Sequence, residues 1–424
     1  MKVDVSFLTK QGLNFLLIPL KESTNVTFLI LVKTGSEYES ESEAGISHFL
    51  EHMCFKGTKK RPHPKILSSE LDALGASYNA FTGREYTGYY AKAAAEHIHK
   101  ILDIVTDIYL NSLFDDREIE KERGVILEEK NYYEDTPSIK IEDLIFELLY
   151  PYQAAGRPII GDEKVIKKVK HDDFVRYFQK HYTNKKTLIV VAGNFHPTKI
   201  VQEICLLMKN IRKGEGGKKL KTNCKQKEPA VLIQHKKTDQ NHLIFATRTF
   251  NCFDERRYVL SVLSTILGGG MSSRLFQKIR EEMGAAYYIN SFADLSLDHG
   301  FLGIASGLAV DKTESALQAM REEVDRLASQ PVEPKELEKA KNYIKGKLAL
   351  SLEASNDYAF YFGSQQLFYN RTFTLEEIYR KIDEVDQNAV LKLAKQIFRP
   401  NNFNLALIGS YLPKDAARFK KIIS

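Results

Sequence analysis

The chain has no tryptophan, four cysteines among 424 residues, and no long apolar run. The cysteines show neither C-x-x-C pairs nor framework spacing, which argues against a disulfide scaffold and suits a reducing compartment. The longest apolar runs, such as residues 28–32, are far too short to span a bilayer. The first residues lack the basic and apolar regions of a secretory signal peptide. These absences predict a soluble, cytoplasmic protein with no membrane partner.

An excess of one charge is also missing. Lys and Arg number 61 against 55 Asp and Glu, for a net charge of +6. No C2H2 spacing, RNA-binding signature or long basic tract is present, so we do not expect a nucleic-acid partner. Hydrophobic residues at 43% suffice for well-formed cores, and the length exceeds one typical domain. The composition therefore predicts a globular chain of two domains.

The segment from His48 to His52 reads H-x-x-E-H, the thermolysin-type zinc motif in reverse order. Because a helix advances about 100° per residue, His48 and His52 lie roughly 40° apart, and Glu51 lies roughly 60° to the other side of His48. Neutral imidazoles bind zinc well, and a catalytic zinc keeps one position open for water. A nearby carboxylate can take the proton of that water. The motif predicts His48 and His52 as zinc ligands and Glu51 as the general base.

The opposite face of the same helix is apolar, as expected for a face that packs on a core. The competing interpretation is an ordinary amphipathic helix that carries two histidines, and the glutamate in the inverted position disfavours it. Cys54 lies two residues past His52 and therefore has to be considered as a ligand. It points roughly 160° away from His52, so we predict a packed thiol. The apolar residues of this face are Ile46, Phe49, Leu50 and Met53.

A catalytic zinc needs a third protein ligand, and a charged, helix-prone segment farther along the chain offers one. Glu122 and Glu129 are seven residues apart, which is two helical turns, so they share a face. Val125 and Ile126 lie on that face, which predicts that it is buried, and a buried carboxylate is costly unless it is paired or binds metal. Glu128 points about 100° away and is expected in solvent. We predict Glu129 as the third ligand, and Glu122 as a group that supports the ligands or handles protons.

The chain contains an internal repeat. A shift of 216 residues, without gaps, superposes residues 166–197 on residues 382–413, and each copy reads as a helix, a strand, a glycine turn and a helix that begins with proline. A second similarity, between residues 75–78 and 284–287, supports duplicated domains. The counterpart of the H-x-x-E-H helix, near residues 260–268, retains no histidine or glutamate, so the second copy is predicted to be non-catalytic.

Each half mixes strands and helices. Residues 25–34, 76–81 and 86–91 are strand-like, and residues 94–113 have helical periodicity. We therefore predict an α+β fold of two homologous domains, each a mostly antiparallel sheet with helices packed on it. The catalytic domain is predicted at residues 1–211 and the homologous non-catalytic domain at residues 229–424. The glycine- and lysine-rich residues 212–228 are predicted to link them.

Several of these motifs together resemble the pitrilysin, or insulinase, family of inverzincin zinc metallopeptidases. His48 and His52 are followed, 77 residues after His52, by Glu129 within E-R-x-V-x-x-E-E. The run G-A-S-Y-N-A-F-T-G-R-E-Y-T from residue 75 resembles the active-site edge strand of that family, although Tyr86 stands where the family often has histidine. The run G-G-G-M-S-S-R-L-F from residue 268 resembles the marker of its second domain. The matches extend over residues 24–410, and the short bacterial-type members, similar to the mitochondrial processing peptidase beta subunit, are the nearest in length.

The resemblance implies how a peptide substrate binds. An extended peptide would add itself as a strand to the edge strand, held by backbone hydrogen bonds. Specificity would then depend on size, on extension and on a few pockets rather than on one sequence. The residues of this edge are Asn79, Ala80, Phe81 and Thr82.

The resemblance also implies a contribution from the second domain. Tyr287 would donate a hydrogen bond to the developing oxyanion, and Arg280 would bind substrate backbone or carboxylate. Short members of the family enclose a chamber as dimers, so these two residues could act in their own subunit or across the interface. A homodimer and a heterodimer with an inactive homologue both fit this expectation.

These observations predict a zinc-dependent endopeptidase or oligopeptidase, with one Zn²⁺ per chain, that hydrolyses peptides or unfolded segments small enough to enter a chamber. A peptidase that trims targeting presequences is an alternative within the same class. From another class, the chain could be an inactive structural or assembly subunit with the same fold. The intact set of His48, Glu51, His52 and Glu129 argues against that last alternative.

Overall fold

The computed structural model describes residues 4–424, which form two compact units. The first unit comprises the residues through Lys130, Arg157–Leu220 and Ser351–Phe373. The second unit comprises Asn131–Gly156, Lys221–Leu350 and Thr374–Ser424. Within residues 4–424, no helix combines the length and apolar character needed to cross a membrane.

Strands and helices alternate irregularly along the chain. The strands are β1 (Ser6–Lys10), β2 (Leu13–Pro19), β3 (Asn25–Val32), β4 (Ser77–Thr82), β5 (Thr87–Ala94), β6 (Thr187–Gly193), β7 (Ala230–His235), β8 (Gln240–Arg248), β9 (Ala286–Leu295), β10 (Gly300–Ala309) and β11 (Phe403–Gly409). The helices are α1 (Ile46–Cys54), α2 (Pro64–Asp72), α3 (Ile98–Asn111), α4 (Asp116–Asp135), α5 (Pro137–Leu149), α6 (Glu163–Ile166), α7 (His171–His181), α8 (Pro197–Leu207), α9 (Arg257–Gly268), α10 (Thr313–Ser329), α11 (Pro334–Leu350), α12 (Ser355–Tyr369), α13 (Leu375–Asp383), α14 (Gln387–Ile397) and α15 (Ala416–Ile423).

The two sheets share one topology, apart from the additional strand β1 at the edge of the first sheet. The first has the order β1-β2-β6-β3-β5-β4, and the second has the order β7-β11-β8-β10-β9. Strands β2 and β6 are parallel, as are β7 and β11, and the other neighbours in both sheets are antiparallel. This arrangement confirms the predicted α+β fold of two mostly antiparallel sheets. It also places β6 and β11, the strands of the repeat, at equivalent positions.

The central strands are apolar along their whole length because both of their faces are covered. Strands β6 and β11 are buried at every residue, and β3 is buried at every residue after Asn25. This explains why residues 25–34 alternate only weakly in sequence, since alternation requires one face in water. The predicted strands and the predicted helix at residues 94–113 are confirmed as β3, β4, β5 and α3, with shifts of their ends.

One helix of each half of the chain packs on the sheet formed mainly by the other half. Helix α12 lies on β2, β3 and β6 of the first unit, and α5 lies on β7, β8 and β11 of the second. A Cβ atom at Gly363 of α12 would lie 3.1 Å from Leu31 and 3.2 Å from Val190, so glycine allows a close approach to the sheet. The compact units therefore differ from the contiguous ranges 1–211 and 229–424 at α5 and α12. Residues 212–228 carry neither helix nor strand.

Candidate metal centre

Helix α1 is held at its start and along its apolar face. Both oxygens of the buried Glu39 carboxylate accept backbone hydrogen bonds, from Gly45 and Ser47, each at 2.8 Å. Gly45 has φ +98°, and a Cβ atom there would lie 2.6 Å from the Ile160 carbonyl oxygen, so glycine is required where the helix begins. The predicted apolar residues, Ile46, Phe49, Leu50 and Met53, are all at most 2% exposed, which confirms the orientation of the helix.

The fixed helix and α4 bring three potential ligands together. His48 Nε2 and His52 Nε2 lie 3.7 and 3.6 Å from Glu129 Oε2, and the three ligand atoms lie within 4.8 Å of one another. Ligands about 2.1 Å from a tetrahedral zinc lie about 3.4 Å apart, so the observed spacing fits one shared ion. The side chains are 12%, 22% and 27% exposed, so solvent reaches the group. Two imidazoles and a carboxylate are a donor set that zinc accepts.

Glu122 fixes the orientation of the His52 ring. Its Oε1 lies 2.9 Å from His52 Nδ1 and its Oε2 lies 2.6 Å from Lys56 Nζ, and its side chain is 6% exposed. When His52 Nδ1–H donates to this carboxylate, the lone pair of Nε2 points to the shared ligand position. Burial raises the pKa of Glu122, but the hydrogen bonds from His52 and Lys56 outweigh it and lower the pKa below its ordinary value.

The two histidines have different electrostatic surroundings. Burial, assisted by the neighbouring His52 ring, lowers the pKa of His48 to about 4, so His48 is neutral near pH 7 and can offer a lone pair. Burial also lowers the pKa of His52, but the Glu122 hydrogen bond and the charges of Glu51 and Glu129 outweigh it and raise the pKa above its ordinary value.

Glu51 lies beside the ligand group and contacts the edge strand. Thr82 Oγ1 donates a hydrogen bond to Glu51 Oε2 at 2.6 Å. Burial raises the pKa of Glu51, and the hydrogen bond from Thr82 opposes that rise. The carboxylate is therefore held in place by a residue of β4 and is not one of the three clustered ligand groups, as a general base requires.

The prediction for α4 was wrong at one residue. Ile126 is fully buried, but Val125 is 52% exposed. The buried stripe of α4 consists of Ile119, Glu122 and Ile126. Around the helix axis, Val125 lies roughly 60° from Glu122 in the direction opposite to Ile126, which places it outside this stripe. Glu128 is exposed, as predicted.

The edge strand is the outer strand of the first sheet. Among the described residues, β4 pairs with β5 alone. The Phe81 ring contacts Tyr86 and Phe360, with ring centroids 5.5 and 5.7 Å away, so this side chain packs against α12. Asn79 is exposed and Ala80 is buried. Pairing of a peptide with the backbone of this strand stays a prediction.

Other predicted residues fall away from the ligand group or in the second unit. Cys54 is fully buried, its thiol donates to the Tyr89 hydroxyl at 3.6 Å, and burial raises its pKa to about 12, which confirms a packed thiol. Arg280 lies in a π-helical segment, Phe276–Glu282, with its guanidinium group 5.0 Å from the centre of the Phe276 ring. Tyr287 lies on β9 and is 73% exposed. The roles of Arg280 and Tyr287 stay predictions.

Two contacts were missed by the sequence reasoning. Lys56 pairs with Glu122, and its spacing of four residues from His52 is a helical signal that could have revealed it. Thr82 was assigned to substrate binding, whereas its hydroxyl contacts Glu51. No local sequence pattern predicts the contact between Thr82 and Glu51, because 31 residues separate them.

Two protein-family models match successive parts of the chain. The family described as Insulinase (Peptidase family M16) matches residues 16–163, and the Peptidase M16 inactive domain matches residues 168–344. Proteins named "uncharacterized zinc protease" from Bacillus subtilis and Rickettsia bellii are 35% and 34% identical to the chain. The first alignment covers 91% of this chain and 93% of the relative, and the second covers 94% and 96%.

Solved structures show the same fold. A protease from Helicobacter pylori superposes with a TM-score of 0.89 at 22% identity, over 96% of this chain and 99% of the other. A protein from Pseudomonas fluorescens, described as a peptidase M16 inactive domain, superposes with the same score at 16% identity and the same coverage. At these identities the likeness concerns the fold.

Proposed function

The chain belongs to the insulinase family of peptidases, family M16, and we propose that it is a zinc-dependent endopeptidase or oligopeptidase that cuts peptides and unfolded segments. The observation that carries the proposal is the convergence of His48, His52 and Glu129 on one position, with Glu51 beside it. The relatives' names support zinc and proteolysis. One Zn²⁺ per chain is the stoichiometry that a single such group would hold.

Each residue around the metal site has a separate proposed role in peptide hydrolysis. A bound zinc would activate a water and polarise the scissile carbonyl. Glu51 accepts the proton of the attacking water and returns it to the leaving amine. Thr82 holds Glu51 in place, and Glu122 keeps the His52 ring oriented. The residues that would hold the zinc, and the glutamate that would carry the proton, all belong to the first unit.

Substrate binding is proposed at the edge of the first sheet. The backbone of β4 offers hydrogen bonds to an extended peptide, and Thr82 connects this strand to Glu51. Such binding selects extended chains rather than a particular sequence. We further propose that Arg280 and Tyr287 complete the site, in their own subunit or across a homodimer or heterodimer that encloses a chamber.

Two alternatives make different predictions. A presequence-processing peptidase would prefer basic peptides, which the net charge of +6 does not favour. An inactive assembly subunit would need no metal. The intact ligand group and the Glu51–Thr82 contact support an active enzyme over that subunit. A cytoplasmic location is part of the proposal, and it suits four cysteines that are all free thiols.

The test is cleavage of a mixture of quenched peptides of about 8 to 30 residues, spanning the lengths that can lie extended beside a strand. Zinc is measured on the same sample, and a parallel sample receives a chelator. We expect about one zinc per chain and internal cuts that cease with the chelator and return with added zinc. A purified chain with neither zinc nor cleavage would favour the inactive assembly subunit.

A further inference from the structure

Lys56 is a charged side chain beside the metal centre that no role considered above explains. Its Nζ lies 2.6 Å from Glu122 Oε2, and its side chain is 28% exposed. The other oxygen of Glu122 lies 2.9 Å from His52 Nδ1. One carboxylate thus joins the ammonium group to a proposed ligand of the metal.

The backbone fixes Lys56 at this place. After α1 ends at Cys54, backbone hydrogen bonds from Phe55 to His52 and from Lys56 to Met53, both 3.1 Å, continue the helical turn. Lys56 therefore lies one turn beyond His52 on the same face.

The chain then turns away sharply. Gly57 has φ +125°, and a Cβ atom there would lie 2.7 Å from the Pro62 carbonyl oxygen, so only glycine fits. The Gly57 carbonyl accepts a hydrogen bond from the Leu113 backbone at 3.1 Å, just before α4 begins. The segment that carries Lys56 is thus connected to the chain that leads into the helix carrying Glu122.

Glu122 needs both of its partners. A carboxylate whose side chain is only 6% exposed is costly without hydrogen bonds to each oxygen. Exposed ion pairs contribute little, but here the carboxylate is buried and the lysine is the partner of Oε2. Without the ammonium group, the Glu122 carboxylate would gain hydrogen bonds to water by rotating, and its hydrogen bond with His52 Nδ1 would be lost.

We propose that Lys56 is a positioning residue of the metal centre, whose ammonium group holds Glu122 with Oε1 toward His52 Nδ1, so that His52 offers Nε2 to zinc. The inference rests on the proposed function, because it concerns the affinity for the metal. Partners of this outer kind typically change metal affinity 10- to 100-fold when they are removed.

The experiment measures zinc dissociation constants of the full chain by competition with a chromogenic chelator. Lys56→Met and Lys56→Gln should weaken zinc binding about 10- to 100-fold, and Lys56→Arg, which keeps the charge and the donors, should stay within about threefold of the wild type. The matched control is Lys60→Met, which removes a lysine–aspartate pair (Lys60 Nζ to Asp103, 2.5 Å) away from the centre and should leave zinc affinity unchanged. Thermal unfolding of each metal-free variant checks the fold, and the Gln and Arg variants decide the result if the Met variant is unfolded.

A second arm tests whether Lys56 acts through Glu122. In a Glu122→Gln background, adding Lys56→Met should change zinc affinity by less than about twofold, because the carboxylate through which Lys56 acts on His52 is already absent. Equal losses in both backgrounds would overturn the proposal. A folded Lys56→Met protein that binds zinc like the wild type would overturn the role of Lys56 and leave the proposed function standing, whereas a wild type that binds no zinc would overturn the proposed function itself.

Discussion

The two units use the same contact, between a helix and an edge strand, in different ways. In the first unit, α1 meets β4 through the charged hydrogen bond between Glu51 and Thr82, 2.6 Å long. In the second unit, α9 meets β9 through two serines, where Ser291 Oγ donates to the Ser264 carbonyl at 2.6 Å. The contact belongs to the shared scaffold, and only its chemistry changes. The glutamate that we propose as the general base thus lies on a helix–strand contact that both units make.

The space around that contact also differs. At the end of α9, a Cβ atom at Gly268 would lie 2.6 Å from the Ser291 backbone nitrogen. The helix therefore packs directly against the strand at Ser291, with no room for a side chain at Gly268. In the first unit, His48, His52 and Glu129 keep 12% to 27% of their side-chain surface exposed. The second unit packs its helix closely against the strand at this place, and the ligand group of the first unit stays accessible to solvent.

The largest expected effect comes from separating the halves of the chain. Residues 1–228 expressed alone lack α12, whose Ala359 and Phe362 cover Leu29 and Val190 of the first sheet. We expect this fragment to show no cooperative thermal unfolding by circular dichroism, because that sheet face would be exposed to water.

Co-expression with residues 229–424 should restore a soluble complex that unfolds cooperatively. A fragment of residues 1–228 that unfolds cooperatively near the melting temperature of the full chain would show that helix α12 is not needed for the first sheet to fold.

A smaller effect is expected when one carboxylate of the ligand group is changed. Glu129→Gln should weaken zinc binding more than about 100-fold, beyond what loss of an outer partner costs, because an amide is a poor substitute for a carboxylate ligand. Glu128→Gln is the matched control, since Glu128 is exposed and adjacent, and it should change zinc affinity less than about twofold. Competition with a chelator measures both constants. The reverse result would mean that the ligand has been assigned to the wrong glutamate.

The smallest effects are expected when the hydroxyl of either helix–strand contact is removed. Thr82→Val removes the hydroxyl that holds Glu51 and should lower kcat for a quenched peptide about tenfold, the lower end of the effect of losing a hydrogen bond to a charged group, which is worth about 1.5–3 kcal/mol. Ser291→Ala removes the equivalent contact of the second unit and should lower the free energy of unfolding by about 1 kcal/mol with kcat unchanged. Equal effects of the two variants on kcat would remove the distinction between the units.

Local spacing predicted much of the site. The period of the helix placed His48, Glu51 and His52 on one face of α1 and Glu122 and Glu129 on one face of α4, and both groupings are observed. The repeat of 216 residues predicted duplicated domains, and the strands that it aligned, β6 and β11, occupy equivalent positions in the two sheets.

Contacts between distant parts of the chain could not be read in the same way. Helices α5 and α12 pack on sheets whose strands lie far from them in the chain, and local periodicity does not say which sheet a helix covers. Val125 was predicted to be buried because it shares a face with Glu129, but the border of a buried stripe depends on what packs above it. The contact of Thr82 with Glu51 joins residues that only the folded sheet brings together.

We propose that Glu51 accepts the proton of the attacking water at a zinc held by its own unit. The most direct measurement compares Glu51→Gln with the wild type for zinc content and peptide cleavage on the same samples. We expect the variant to keep about one zinc per chain and to lose cleavage about 10²- to 10⁴-fold, because the ligands remain and the base is lost. Wild-type cleavage by a zinc-loaded Glu51→Gln protein would contradict it.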